Sequence, residues 1–308
     1  MTFSTEVKNE VTKLESTKLE LISELSGVVR NSSEIEPHIK ITIENNSVAR
    51  RIFKLFKDIY EVTPIITVRQ RYGFNKGINY ILEIKHKNNE ILNDLSIVDK
   101  DGNYLNIPKT YIVNDEELAR AYLRGLFIST GSINDPKTSR YHLEFIINDK
   151  DYANYISKLL NDFNLNSKVI KREKNYMVYI KEAEKISDYL RIIKAYNAVM
   201  YFEDIRIYRD HKNMTNRLNN CEQANMDKIF LTSSRQIKDI EKLKEYDIID
   251  LLDEKIKEVI EYRLKYPEVS LQELSDIITS STGNKITKSG LNHRFRKIRE
   301  IVTNIENK

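Results

Sequence analysis

The chain has 308 residues and sets 50 Lys and Arg against 46 Asp and Glu, so its formal net charge of +4 leaves nucleic-acid binding to the local distribution of charge. The length holds two domains, each able to bury its own core; the one cysteine, Cys221, excludes an intrachain disulfide, and five scattered histidines (His38, His86, His142, His211, His293) argue against a zinc or iron site. No apolar run approaches the roughly 18 residues of a membrane span and Met1-Thr2-Phe3-Ser4 is no signal peptide, so a soluble cytoplasmic protein without cofactor, metal or membrane partner is expected.

Residues 5–16 read as an amphipathic helix with Val7, Val11 and Leu14 at helical spacing. A second helix ends at Leu25-Ser26-Gly27-Val28-Val29-Arg30-Asn31-Ser32-Ser33. Ile39, Ile41 and Ile43 then alternate with polar residues, as in a half-buried strand. Ser47 can cap a helix bearing Val48, Ile52, Leu55, Phe56 and Ile59. Strands at 65–71 and 80–85 follow, joined by a turn with Gly73, Asn75 and Gly77. After a connector punctuated by Asp101-Gly102 and Pro108 the order recurs. A helix ends at Leu123-Arg124-Gly125-Leu126-Phe127-Ile128-Ser129-Thr130-Gly131; a strand at 141–148, a helix at 152–163 and strands at 168–173 and 176–182 complete the second copy.

Beyond residue 225 the pattern is helical. Helices are expected at 226–244 and 250–265, the second stopped by Pro267. Ser270-Leu271-Gln272-Glu273 is a capping box opening a short helix with Leu271, Leu274, Ile277 and Ile278 on its apolar face. A polar turn, 279–285, precedes a last helix that Thr287 or Ser289 would cap. There Leu291, Phe295, Ile298 and Val302 recur every three to four residues, while Ser289, Asn292, His293, Arg296 and Arg299 share the other face. Lys285, Lys288, Arg294, Arg296, Lys297 and Arg299 fall between 285 and 299 with no acid among them, whereas the 88 residues after Asn220 hold 16 bases and 16 acids. Charge is therefore segregated onto this helix. Such a face on the second helix of a helix-turn-helix suits the major groove of double-stranded DNA. The expected contacts are Lys288, Ser289, Asn292, His293, Arg294, Arg296, Lys297 and Arg299. Arg206, Arg209, Lys212 and Arg217, and the strand residues Arg69, Arg71, Lys168, Lys171 and Arg172, fit a DNA contact or a solvated surface equally.

The first 196 residues thus read as two copies, about 18–96 and 115–196. Lys54-Leu55-Phe56-Lys57-Asp58-Ile59 echoes Lys158-Leu159-Leu160-Asn161-Asp162-Phe163, and Tyr80–Lys85 echoes Tyr176–Lys181. A helical glycine costs about 1 kcal/mol against alanine, so Gly27 and Gly125 at matching positions point to a close approach of two helices across a pseudo-twofold axis.

These paired helices resemble those of the LAGLIDADG homing endonucleases, in which two four-stranded sheets form a saddle over DNA. The whole chain most resembles the bacterial WhiA family, where such a domain is fused to a helix-turn-helix. The runs that carry the resemblance are Leu123–Pro136, Phe202-Glu203-Asp204-Ile205-Arg206, Asn220-Cys221-Glu222-Gln223-Ala224-Asn225 and Lys288-Ser289-Gly290-Leu291-Asn292-His293-Arg294. The resemblance implies an α+β fold: a LAGLIDADG-like αββαββα repeat domain over 1–200, a linker over 201–224, and an all-α domain over 225–308 with its helix-turn-helix at about 269–302.

Phosphodiester hydrolysis would need carboxylates to hold a divalent metal. The homing-endonuclease acids correspond here to Ser32 and Thr130, neutral hydroxyls, and Glu34 and Asp135 are out of register. The expected function is a sequence-specific DNA-binding regulator, not an enzyme, associated with the nucleoid. The resemblance adds roles in cell division, chromosome segregation and, in spore formers, sporulation, with transcription or division proteins as further partners. An active metal-dependent endonuclease and a protein-interaction scaffold are the alternatives.

Overall fold

The computed structural model describes residues 2–35, 37–70, 77–138 and 140–307. They form two compact units, Met1–Arg209 and Asp210–Lys308.

Unit 1 opens with α1 (Phe3–Val11), capped by Thr2 and burying Phe3, Val7 and Val11. It ends earlier than the periodicity suggests, and Leu14 reaches the core from the following turn. The first copy then runs α2 (Lys18–Ser32), β1 (Ser33–Glu34), β2 (Ile39–Ile43), α3 (Asn46–Tyr60), β3 (Ile65–Gln70), β4 (Ile78–Ile84) and α4 (Asn88–Asp94). The second runs α5 (Glu116–Thr130), β5 (Gly131–Ile133), β6 (Leu143–Ile147), α6 (Lys150–Asp162), β7 (Lys168–Arg172), β8 (Asn175–Ile180) and α7 (Ala183–Ile192). Both are αββαββα, and the antiparallel sheets share one strand order, β1-β2-β4-β3 and β5-β6-β8-β7. Each sheet buries alternate residues: Ile41 lies opposite Leu82 and Phe145 opposite Val178, all four fully buried. The cap of α3 is Asn45, not Ser47. Its side chain accepts the N–H groups of Ser47 and Val48, which puts Ser47 inside the first turn. Of the expected first hairpin turn, Gly73 and Asn75 lie outside the described residues, as does Arg71.

The two copies meet at α2 and α5. A Cβ on Gly27 would sit 2.6 Å from the Tyr122 carbonyl oxygen, and one on Gly125 only 2.0 Å from that of Glu24. The backbones therefore touch. Beside this contact the Glu24 carboxylate is fully buried between two guanidiniums, Arg51 Nε at 2.9 Å and Arg124 Nε at 2.8 Å. Arg124 also donates to Ser16 Oγ at 3.1 Å. Buried charge survives only when paired and hydrogen-bonded in this way. A second polar stripe on α2 anchors the connector between the copies. Ser23 Oγ donates to the Ile112 carbonyl (2.6 Å), Ser26 Oγ to that of Leu95 (2.7 Å), and Arg30 to those of Ser96 and Leu105.

The helix α8 (Tyr196–Glu245) starts in unit 1 and ends in unit 2. Residues 201–224, expected to link the domains, are helical throughout. The Glu10 carboxylate accepts the N–H groups of Asn197 (2.7 Å) and Ala198 (3.0 Å), capping the start of α8 from α1. In unit 2 the expected 226–244 helix is the last part of α8. After a 3-10 turn at Ile249–Leu251 come α9 (Glu254–Lys265), α10 (Leu271–Thr282) and α11 (Lys288–Glu306). Ile240, Leu243, Ile256, Val259, Ile260, Leu274, Ile278, Leu291, Phe295, Ile298 and Val302 make its core. Arg263 is buried with them at 1% exposure. Its guanidinium lies 5.6 Å from the Phe295 ring and donates to the carbonyls of Tyr266 (3.3 Å) and Val269 (2.8 Å), fixing the loop into α10.

Gly125→Ala should lower the melting temperature of unit 1. The propensity gain of about 1 kcal/mol is outweighed by a backbone clash of the overpacking kind, typically about 1–3 kcal/mol and larger where backbones touch. Calorimetry of the full chain should show the unit 1 transition shifted and that of unit 2 unmoved. A variant melting like the parent would mean that α2 and α5 do not meet there. Arg263→Met should destabilise unit 2 by about 1–2 kcal/mol, because two part-buried carbonyls lose their donor at about 0.5–1.5 kcal/mol each. Circular dichroism of the thermal transition reads this, and an unchanged midpoint would exclude the anchoring role.

Candidate nucleic-acid interface

The helix-turn-helix is built from α10 and α11. Both halves of the expected capping box are present: Ser270 Oγ accepts the Glu273 N–H and Glu273 accepts the Ser270 N–H. Four residues expected in the turn, 279–282, belong instead to α10, which ends at Gly283 in the left-handed region (φ +74°). The remaining turn is held from within. Ser275 Oγ donates to the Ile286 carbonyl (2.8 Å), and the Ile286 N–H donates to Thr279 Oγ1 (3.2 Å). Thr287 caps α11 by accepting the Gly290 N–H, so Ser289 sits within the first turn.

The seam Leu291, Phe295, Ile298 and Val302 is buried as the spacing requires. Lys288, Ser289, Asn292, His293, Arg296, Lys297 and Arg299 are all exposed. Arg294 differs. It donates to the Lys255 carbonyl (3.2 Å) and lies 3.7 Å from the Glu258 carboxylate, which commits it to α9. The position was readable: it falls three residues after Leu291 and one before Phe295, on the flank of the seam. Arg299 lies on the side of α8. There burial pushes the Asp239 carboxyl pKa up, and the charge of Arg299, then of Lys242 and Arg235, pulls it back. Lys242 of α8 pairs with Glu306 at the far end of α11. The first acid along α11 is Glu300, so its first three turns present no acid.

In unit 1, Ser32 and Thr130 are the last residues of α2 and α5, each followed directly by a short strand. Thr130 Oγ1 donates back to the Leu126 carbonyl at 3.3 Å. Glu34 pairs with Lys40 at 3.2 Å on the exposed edge of its sheet, and Asp135 accepts the Lys137 N–H in a loop. Among the described residues no group of three or more His, Cys, Asp or Glu side chains could hold a metal ion, and no helix is long and apolar enough to cross a membrane.

The open sheet faces are mixed. Across β6, β8 and β7 an apolar row, Ile146–Met177–Ile170, lies beside Glu144–Tyr179–Lys168, and Glu144 pairs with His142 at 3.0 Å. Arg69, Lys168 and Arg172 lie on these faces, whereas Lys171, in register with Tyr176, lies on the opposite side of its strand. Arg206 pairs with Glu203 (2.9 Å), and Arg209 donates to the carbonyls of Pro136 and Thr138.

Three family models match the chain in order: the WhiA N-terminal LAGLIDADG-like domain over residues 20–98, the WhiA LAGLIDADG-like domain over 119–212, and the WhiA C-terminal HTH domain over 215–302. Relatives from Bacillus cytotoxicus and Bacillus mycoides, both named "Probable cell division protein WhiA", are 42% identical over 306 residues, which is 98% of this chain and 96% of each of theirs. The crystal structure of full-length WhiA from Thermatoga maritima matches with a TM-score of 0.57 at 25% identity, covering 99% of both chains. With that similarity from end to end, and with a repeated LAGLIDADG-like unit preceding a helix-turn-helix, the chain belongs to the WhiA family.

Proposed function

We propose that the chain is a sequence-specific regulator that binds double-stranded DNA through α11, and that its LAGLIDADG-like unit is catalytically inactive. The observation that carries this reading is the exposed, acid-free face of α11 on a fixed helix-turn-helix. Lys288, Arg296, Lys297 and Arg299 supply charge for phosphates; Asn292, His293 and Ser289, with the arginines, supply donors and acceptors for base edges. Arg294 acts indirectly, by holding α11 against α9. The mixed sheet faces of unit 1 favour the helix-turn-helix over the saddle as the DNA reader. The names of the relatives support a role in cell division, and DNA as the partner would put that role at the nucleoid in the cytoplasm. Chromosome segregation, transcription regulation and, in spore formers, sporulation extend that role, with other transcription or division proteins as partners.

The inactive reading rests on chemistry. The two motif positions that would have to supply carboxylates for a divalent ion are occupied in the sequence by Ser32 and Thr130, and a neutral hydroxyl is a poor anchor for a hard cation. Genome-wide mapping of bound DNA tests the main proposal by showing whether occupancy concentrates on a shared sequence. On a duplex so recovered, Arg296→Ala should weaken binding by about 1–3 kcal/mol and relax preference at one position if the side chain reads a base. Unaltered affinity and preference would remove α11 from the interface. Incubating the same duplex with the wild-type chain in Mg²⁺ or Mn²⁺ should leave it intact; strand cleavage would restore the endonuclease alternative.

A further inference from the structure

Unit 2 contains a cavity of about 170 Å³ where α8, α9 and the starts of α10 and α11 converge. Three cationic side chains line it from three helices, Lys228 of α8, Arg263 of α9 and Lys288 of α11, and no acid is among the lining residues. Arg263 is 1% exposed, and its Nε has no partner among the described residues. Ser270 and Leu271, the first residues of α10, form part of the wall. The capping box satisfies the N–H groups of Ser270 and Glu273 and engages the Glu273 carboxylate. The N–H group of Leu271 remains open, as the first turn of a helix leaves it, at its positive end. Cations from three helices, a buried guanidinium N–H without a partner among the described residues and an open helix N–H suit this cavity to an anion. Charge counting along α11 alone does not reveal it, because Lys228 lies 60 residues before Lys288.

We propose that this cavity seats one backbone phosphate of the bound DNA duplex, held by Lys228 and Lys288 with the Leu271 N–H group. The proposal rests on the DNA-binding reading and extends the contact surface from the helix-turn-helix back onto α8. Asn225, Lys228 and Thr232 recur at three- and four-residue spacing and share one face of that helix. The end of the Asn220–Asn225 run, which the base-reading face leaves unexplained, is thereby aligned with the phosphate. A phosphate contact carries no base information; it fixes how α11 is set in the groove.

The test uses the full chain, a duplex recovered by genomic mapping and a random duplex of equal length, titrated at about 0.05 to 0.2 M salt. Lys228→Gln, an exposed position, should weaken both duplexes alike, by about five-fold at 0.15 M, and lower the slope of log affinity against log salt by about one. Asn292→Ala should instead reduce the preference between duplexes and keep the slope. A Lys228→Gln chain with wild-type slope and affinity, or one that loses only the specific duplex, overturns the phosphate seat while leaving the DNA reading intact. A wild-type chain that binds neither duplex removes the DNA reading, and the seat with it. Amide spectra separate the sources of phosphate. A shift of Leu271 on adding duplex, lost in Lys228→Gln, supports the proposal; a shift with inorganic phosphate but none with duplex overturns it in favour of a free-anion site.

Discussion

Where α2 crosses α5 the Gly125 backbone lies against the Glu24 carbonyl so closely that no side-chain carbon fits between them. Much of unit 1 follows from that contact. Two helices this close leave no room for a layer of large side chains at the crossing, and the buried apolar residues of both copies form one continuous core with them. The buried Glu24 then needs two guanidiniums: with only one helix face available, Arg51 comes from α3 of its own copy and Arg124 from α5 of the other. Breaking such a trio by removing one member leaves uncompensated charge in the interior, which is costlier than the trio is stabilising.

The repeat was legible because glycine in a helix is costly and two at matching positions demand a reason. The strand order was less so. Neither β1 nor β5 exceeds three residues, too short for alternation to register, yet each completes a four-stranded sheet. Asn45 and Ser47 are both good caps in sequence, and only backbone geometry distinguishes them. Glu24, Arg51 and Arg124 gave no signal either, since charged residues 27 and 100 positions apart carry no pattern.

In the C-terminal unit the sequence signals were local and therefore strong. A capping box and an apolar seam each depend on residues within one or two turns, and Ser270 and Leu291 behave accordingly. The flank position of Arg294 follows from the same periodicity. The cavity lined by Lys228, Arg263 and Lys288 depends on three helices meeting, which periodicity along any one of them does not encode. The linker that the resemblance implies over 201–224 is instead part of α8. Its asparagines suggest a coil, and nothing in composition reveals that the helix runs through them.

The middle of α8 has a thermodynamic character of its own. Every residue from 210 to 228 is exposed, so no tertiary burial stabilises those turns, and Asn213, Asn216, Asn219, Asn220 and Asn225 are poor helix formers. The free energy of local opening there should fall far below that of either core, as for segments with few buried contacts generally. Backbone amides from 210 to 228 would then exchange with solvent long before those of α5 or α11. A protease added sparingly would find its first productive site in the same turns and release two resistant fragments. Within one unbroken helix, ends fixed in two cores would coexist with a centre that opens and closes many times during the life of the folded chain.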